Sequence, residues 1–207
     1  PIQTRHDGAK QPGFIQGDTV AHCGSCIEGR YAHTLTITDI FSNWTENRSC
    51  WGKEDETVLA AYLSIEKTLP FIVIGWSSDN GSEFLNDKMF AHLTAMSIKI
   101  TRGRPSHKND NPHVEQKNNT HVRKLLGYQR FDYLGLVKRM NDIYENYWNL
   151  LQNFFTPSQK LIKKERVGAK IIKRYDKPQT PYQRLMESEH ISEEKKAELK
   201  RKYQTLN

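Results

Sequence analysis

The sequence predicts an α/β fold in which a mixed β-sheet is flanked by helices. Three segments rich in Thr, Val, Ile and aromatic residues come first, and short polar turns between them indicate an antiparallel meander. The hydrophobic period then changes to that of helices, and the remaining order is helix, strand, helix and strand. This order fits a single sheet that combines the meander with the later strands and carries helices on its faces.

The first half of the chain supplies the strands and the first helices. The three strands of the meander are predicted at residues 14–23, 31–40 and 44–50. A helix begins with an acidic first turn at residues 54–56, which suits a helix N-terminus, and it ends at Pro70. The next elements are a buried strand at 71–77, a helix capped by Asn86 or Asp87 with Met89, Phe90, Leu93 and Met96 on its inner face, and a strand at 98–101.

Helices dominate the second half of the chain. Asn111 can cap a helix that has Pro112 at its first position and Gly127 after its end. Residues 133–155 form a long amphipathic helix whose apolar stripe is expected to face the core. The stripe consists of Leu136, Val137, Met140, Ile143, Tyr144, Tyr147, Leu151 and Phe154. Residues 156–177 carry 8 Lys and Arg against 2 Asp and Glu, which indicates a weak hairpin or an extended arm, and a charged helix follows near the chain end.

These patterns divide the 207 residues into three parts. Residues 1–13 are a polar tail or linker, residues 14–155 form the core domain, and residues 156–207 form a basic extension with a terminal helix. Residues 1–103 carry 9 Lys and Arg against 12 Asp and Glu, whereas residues 104–207 carry 22 against 12. An acidic half joined to a basic half favours a polyanionic partner, although a solvated basic surface has the same composition.

The composition also bears on location and on metal binding. No run reaches the about 18 apolar residues of a membrane span, and no signal peptide is visible. Three cysteines make a disulfide framework unexpected and favour a reducing compartment such as the bacterial cytoplasm. Cys23 and Cys26 form an isolated C-x-x-C without the further ligands of a structural zinc site, so free thiols are expected. Because the chain begins at Pro1, we expect it to be a piece of a longer protein.

Three acidic residues stand where acids are unusual. Asp18 lies inside the first strand, and Asp79 directly follows the buried strand. Glu115 lies in the first turns of a helix, behind a polar loop. If these carboxylates converge, they repel one another and raise their pKa values, and divalent cations with oxygen ligands offset that repulsion. A fourth strand acid, Asp39, is expected to end the second strand near a turn.

The segments around these acids resemble the three acidic motifs of the DDE transposase and retroviral-integrase superfamily. The motifs are GDTV at Asp18, SDNGSEF at Asp79 and HVEQKN at Glu115. The 35 residues between Asp79 and Glu115 match the spacing typical of integrases and of related bacterial insertion-sequence transposases. Similar segments at TLTITDIFSNWTE, RGRPSHKNDNPHVEQKN and NFFTPSQKL extend the resemblance over roughly residues 13–182.

The resemblance implies a ribonuclease H-like fold with a five-stranded mixed sheet, and an enzyme that cleaves DNA 3′ ends and joins them to a target. It implies that Asp18, Asp79 and Glu115 are catalytic and bind two Mg²⁺ ions, for which Mn²⁺ can substitute. It also implies double-stranded DNA as the partner, and a homodimer or larger assembly on it. The acidic helix departs from the retroviral pattern, because Asn119 and Val122 replace its DNA-facing lysines.

Two basic regions are candidates for contacting the DNA backbone. One lies around the acidic helix, and the other follows the long helix. Their candidate residues are Arg102, Arg104, Lys108, Lys117, Arg123, Lys124, Lys160, Lys163, Lys164, Arg166, Lys170, Lys173 and Arg174. Two other functions stay open: a nuclease of the same fold that only hydrolyses, and a DNA-binding module or domesticated core without strand-transfer chemistry.

Overall fold

The chain folds around one mixed sheet in a computed structural model that describes residues 9–79, 81, 84, 86–102 and 111–206. The strands are β1 (Phe14–Ala21), β2 (Ala32–Asp39), β3 (Thr45–Trp51), β4 (Gly75–Ser78) and β5 (Lys99–Arg102). They are ordered β3-β2-β1-β4-β5 across the sheet. The first three strands are antiparallel, and β4 and β5 run parallel to β1. The predicted five-stranded mixed sheet is thereby confirmed.

Helices follow the meander and separate the later strands. The first two are α1 (Asp55–Glu66) and α2 (Asp87–Ala95). The acidic helix, residues 112–126, consists of α3 (Pro112–Lys117), a π-helical segment (Asn118–Arg123) and α4 (Lys124–Leu126). The long helix, residues 135–155, consists of α5 (Gly135–Ile143) and the π-helical segments Tyr144–Trp148 and Leu151–Phe155, joined by two residues. The last two helices are α6 (Pro181–Met186) and α7 (Glu193–Thr205).

None of the helices in the described ranges combines the length and the apolar character that crossing a membrane requires.

The main core joins the sheet to the helices at both ends of the chain. Trp76 of β4 and Tyr62 of α1 are fully buried in it, and their rings meet edge to face at 5.3 Å. Leu185 and Leu199 of the last two helices belong to the same buried cluster. Within the predicted basic extension, α6 and α7 therefore pack onto the core.

The segment between the long helix and α6 is a β-hairpin formed by β6 (Leu161–Val167) and β7 (Lys170–Tyr175). Of the two structures that the sequence left open for this segment, the hairpin is confirmed. Nearly every side chain of both strands is exposed. An isolated two-stranded hairpin is marginally stable by itself, so its attachment to the core matters.

Hydrogen bonds at its base provide that attachment. The Lys160 ammonium donates to the carbonyl oxygens of Ile40 at 2.9 Å and Phe41 at 2.6 Å. At Asp176, directly after β7, the buried guanidinium of Arg184 donates to the carboxylate Oδ2 at 2.6 Å. These contacts fix the base of the hairpin while its strands extend away from the core.

The long helix covers the free edge of β3 with asparagine side chains. Asn153 donates to the carbonyl oxygen of Thr45 at 2.8 Å and accepts from its N–H at 2.9 Å. Asn141 makes the same pair of hydrogen bonds with Ser49, at 3.0 and 2.6 Å. Each amide takes the place of a strand neighbour, so backbone groups of this edge are satisfied without another strand.

The stripe predicted for the long helix faces the core only in part. Met140 and Phe154 are buried, but Ile143, Leu151 and Tyr147 are exposed, the last to 67%. The prediction assumed 3.6 residues per turn throughout. The two π-helical segments, with their i→i+5 hydrogen bonds, have more residues per turn, so they rotate Tyr147 and Leu151 away from the core.

The strand predicted at 71–77 begins only at Gly75. Ile72 is 83% exposed, so the apolar run is not buried along its whole length. The carbonyl oxygen of Gly13 accepts from the N–H groups of Ile74 and Gly75, at 2.9 and 3.1 Å, just ahead of the first β1–β4 pair. The ladder with β1 is therefore short, and the residues before it form a connection.

The predicted cap of α2 is confirmed, since Asn86 Oδ1 accepts from the N–H of Met89 at 2.8 Å. The buried face of α2 is narrower than predicted. Met89 and Leu93 are buried, whereas Phe90 and Met96 are largely exposed. Met89 and Leu93 are four apart and share one stripe of the helix, Phe90 lies to one side of that stripe, and Met96 lies beyond the end of α2 at Ala95.

Candidate active site

β1 and β4 bring two of the three acids to the same part of the sheet. The strands are parallel neighbours, and Gln16 pairs with Ser77. Asp18 lies two residues after Gln16, and Asp79 lies two residues after Ser77. The two acids therefore occupy equivalent positions relative to this pair. Asp18 is half-buried on β1, and Asp79 is exposed just beyond the end of β4.

Two polar contacts hold the start of the acidic helix against these strands. Gln16 Oε1 accepts from the backbone N–H groups of His113 at 3.1 Å and Val114 at 3.3 Å. Ser77 Oγ donates to Asn111 Oδ1 at 3.0 Å. Both strand residues precede an acid by two positions, and both contacts end shortly before the acid of the helix. The three acid-bearing elements are thereby linked.

Sequence reasoning missed two of the side chains that build this arrangement. Gln16 caps the acidic helix in place of Asn111, whose side chain makes no cap hydrogen bond to the helix. Asn118 donates from Nδ2 to Asp18 Oδ2 at 2.6 Å. The available signals were a polar Gln alternating with Asp18 in an apolar strand, and an Asn three residues after Glu115 on the same helix face.

The three acids interact electrostatically. Burial and the negative charge of Asp79 raise the pKa of Asp18 to about 7, and the charge of Glu115 contributes in the same direction. Hydrogen bonds from the Thr19 N–H at 2.8 Å and from Asn118 oppose the increase. A carboxyl group whose pKa is raised by two neighbouring acids is one that a cation would stabilise in its charged form.

The side chains as they stand do not form a closed metal site. Among the described residues, no group of three or more His, Cys, Asp or Glu is arranged to hold a metal ion. Carboxylate oxygens are nevertheless the ligands that Mg²⁺ prefers. Asp18 Oδ2 accepts the hydrogen bond from Asn118 with one lone pair, and the second lone pair of a carboxylate oxygen can bind a cation. The chemistry of the three acids, two of which raise the pKa of the third, therefore fits a divalent cation.

Replacing Asp18 by Asn is expected to stabilise the metal-free protein above about pH 7. The folded state keeps the Asp18 charge at a penalty, because its pKa is raised from 3.8 to about 7. Wild-type stability should therefore fall relative to the variant as the pH rises through that range, and the difference should then stay constant. We expect the free energy of unfolding to rise on the order of 1–2 kcal/mol. This is less than the pKa shift implies at about 1.36 kcal/mol per unit, because Asn offers one acceptor oxygen instead of two.

Urea unfolding across this pH range, with EDTA present, measures the effect. Asp142→Asn, an exposed position on α5, is the matched control and should leave the pH dependence of the wild type unchanged. A stability difference between Asp18→Asn and wild type that does not vary with pH would contradict the repulsion described here.

Three of the predicted DNA contacts are engaged inside the protein. Lys117 is only 9% exposed, and burial together with the charge of Arg184 lowers its pKa to about 8. Arg123 donates to the carbonyl oxygen of Ala21 at 3.0 Å. Lys160 holds the base of the hairpin. Lys117 is too buried to reach a DNA backbone, and the donors of Arg123 and Lys160 are already used within the protein.

The other basic candidates differ in what the structure describes. Arg104 and Lys108 lie outside the described residues, and Arg102 is placed by its backbone at the end of β5. The exposed candidates are Lys124, Lys163, Lys164, Arg166, Lys170, Lys173 and Arg174. All of these except Lys124 lie on the hairpin.

Two other sequence candidates have structural roles. Asp39 ends β2 as predicted and is fully buried, where it accepts from the Gly13 N–H at 2.8 Å and from the Ser42 N–H at 2.7 Å. Burial raises the pKa of Asp39 to about 6, and these hydrogen bonds limit the increase. Cys23 and Cys26 form no disulfide with any described residue.

No family model matches the sequence. The uncharacterized protein y4rM of Sinorhizobium fredii (strain NBRC 101917 / NGR234) is 36% identical over 188 residues, which are 89% of this chain and 53% of that protein. The chain thus spans about half the length of this curated relative.

Solved structures with a similar fold include two integrase catalytic core domains and an intasome. The catalytic core domain of BIV integrase matches with a TM-score of 0.55 and 17% identity, covering 86% of this chain and 96% of that chain. The HTLV-2 integrase catalytic core domain, in complex with magnesium and in a dimeric form, gives 0.52 and 19%, covering 71% and 90%. The simian T-cell lymphotropic virus intasome in complex with PP2A regulatory subunit B56 gamma gives 0.54 and 17%, covering 70% and 49%. The chain therefore has the ribonuclease H-like fold of retroviral integrase catalytic cores.

Proposed function

We propose that the chain is the catalytic core of a DDE-type polynucleotidyl transferase, which cleaves DNA 3′ ends and transfers them to a target in the presence of Mg²⁺ or Mn²⁺. The arrangement of the acids carries the proposal. Asp18 lies on β1 and Asp79 just beyond the end of the parallel strand β4, and the helix of Glu115 is held against those strands. The fold shared with integrase cores supports the same class of activity.

The acids have separate roles in the proposal. Asp18 and Asp79 would hold one ion, and Asp18 and Glu115 a second. Two bound ions supply activation of the attacking oxygen and stabilisation of the leaving oxygen, so no Ser or Tyr nucleophile is required. The chain itself contributes positioning: Gln16 keeps the acidic helix in place, and Asn118 orients the Asp18 carboxylate.

The proposed partners are double-stranded DNA, as element ends and as target, and a second copy of the chain. The exposed lysines and arginines of the hairpin supply positive charge for the DNA backbone. Joining two element ends to one target requires two active sites, which is the reason for proposing an assembly of at least two chains. The magnesium-bound HTLV-2 core supports both the metal and the dimer by analogy.

A strand-transfer assay tests the function. The chain is mixed with a pool of labelled duplexes whose ends are randomised, because the recognised end is unidentified, and with a supercoiled plasmid and Mg²⁺ or Mn²⁺. We expect labelled products longer than the donor, which only joining produces. Shorter products alone would favour the hydrolysing nuclease. DNA binding without any metal-dependent product would favour a binding module.

A further inference from the structure

The two faces of the β6–β7 hairpin differ in charge. Directly paired residues of antiparallel strands share a face, and faces alternate along each strand. The register pairs Lys164 with Lys173 and Arg166 with Ile171, and Tyr175 shares their face by alternation with Lys173. We call this set the basic face, and it contains no acid.

The opposite face is partly neutralised. It carries three cations and one acid, and its paired residues are Lys163 with Arg174, Glu165 with Ile172 and Val167 with Lys170. Lys163 forms an ion pair with Glu165 on this face. We call it the mixed face. The two faces therefore offer a comparison between cations that are similar in exposure but different in surroundings.

The basic face is unfavourable for the hairpin when it stands alone. Lys164 and Lys173 are directly opposite each other, as Lys163 and Arg174 are on the mixed face, and like charges in that position destabilise a ladder. The faces differ because Lys163 forms an ion pair with Glu165, whereas among the described residues neither Lys164 nor Lys173 forms one. The repulsion disappears when anions bind between the side chains, and closely spaced anions are what a DNA backbone presents.

The base of the hairpin is fixed to the core. It is anchored by Asp176 and Arg184, and a 2.9 Å hydrogen bond joins the N–H of Asp176 to the Lys160 carbonyl oxygen. A ligand on the hairpin is thus bound by an arm that is held at its base.

We infer that the basic face, through Lys164, Lys173 and Arg166, binds the phosphates of duplex DNA, and that the mixed face does not. This inference rests on the proposed function, because it assigns the DNA of that reaction to one face of one hairpin. Tyr175 and Ile171 on the same face add apolar contact with the sugar edge between the phosphates.

Matched double substitutions test the inference. Lys164→Gln with Lys173→Gln removes two charges from the basic face, and Lys163→Gln with Lys170→Gln removes two from the mixed face. Binding of the 207-residue chain to a labelled duplex of mixed sequence is measured in EDTA at several salt concentrations. The slope of log K against log[salt] should fall by about 2 for the basic-face variant and much less for the mixed-face variant.

The outcomes separate this inference from the proposed function. Equal effects of both variants, or no effect of either, would overturn the assignment to one face. Tighter binding of a single strand of the same length would overturn the assignment to duplex DNA. The binding measurement in EDTA does not depend on any metal-dependent reaction. If the wild-type chain binds duplex through the basic face in EDTA, but joins no strands in the assay with Mg²⁺ or Mn²⁺, only the proposed function is contradicted. Equal unfolding temperatures of the variants exclude a loss of structure as the cause.

Discussion

Asp18→Asn, Asp79→Asn and Glu115→Gln are each expected to lower metal-dependent nicking and strand transfer on the order of 10³-fold or more, and to leave DNA binding intact. In the proposed function, each change removes a carboxylate charge that would bind a metal ion. Plasmid nicking and the appearance of labelled joint products, both with Mn²⁺ and with Mg²⁺, measure the loss.

A nearby acid outside the site is the matched control. Asp87→Asn changes the same side chain in the same way in the first turn of α2, where Asp87 is exposed, and it should keep activity within about threefold of wild type. The assignment fails if any of the three variants joins strands at a rate within about tenfold of wild type, because binding and positioning alone do not replace a metal ligand.

Arg184→Met is expected to destabilise the protein by about 3–5 kcal/mol, the largest stability effect we predict. Arg184 is 8% exposed and donates to Asp176 Oδ2 at 2.6 Å and to the Ser158 carbonyl oxygen at 2.8 Å. Without it, the carboxylate and the carbonyl group lose their charged donor in a mostly buried place. Urea unfolding should show a lower midpoint with an unchanged slope.

Two further variants test whether the loss of stability comes from the buried Arg184–Asp176 ion pair rather than from the loss of any charge. Arg184→Met combined with Asp176→Asn should recover part of the loss, because the uncompensated charge is removed while one oxygen remains for the Lys160 N–H. Lys88→Met breaks the exposed ion pair with Glu56 and should leave the urea midpoint nearly unchanged, because solvent screens an exposed pair. A loss of similar size for Lys88→Met, or no recovery in the double variant, would contradict this reasoning.

The sheet could be predicted because its signals are local, and the errors arise where the period changes. Residues with β-propensity and short turns mark the meander, and the helical period after it marks the crossovers. Tyr147 was assigned to the core because a single period was applied along the long helix. A π-helical segment depends on packing against β3, which no sequence window contains. Ile72 was assigned to a strand because an apolar run does not show how many residues the neighbouring strand can pair.

The site was predicted as a set of acids, but not in its supporting contacts. Asp18 and Asp79 were visible because carboxylates are rare in and directly after apolar strands. Gln16 and Asn118 act through partners that are about 100 residues away in sequence, so their roles depend on the tertiary fold. Lys117 looked like its exposed neighbours, because burial of a lysine leaves no trace in a basic segment.

The asparagine cover on β3 has a consequence for how the chain is made. The side chains that satisfy Thr45 and Ser49 come from residues 108 and 92 positions later in the chain. During synthesis the meander therefore emerges with an open flank, which a second nascent chain can join by strand addition. Once the long helix docks on β3, that route to aggregation closes. The interval between the emergence of the meander and the docking of the helix is therefore the period in which a chaperone would protect the chain.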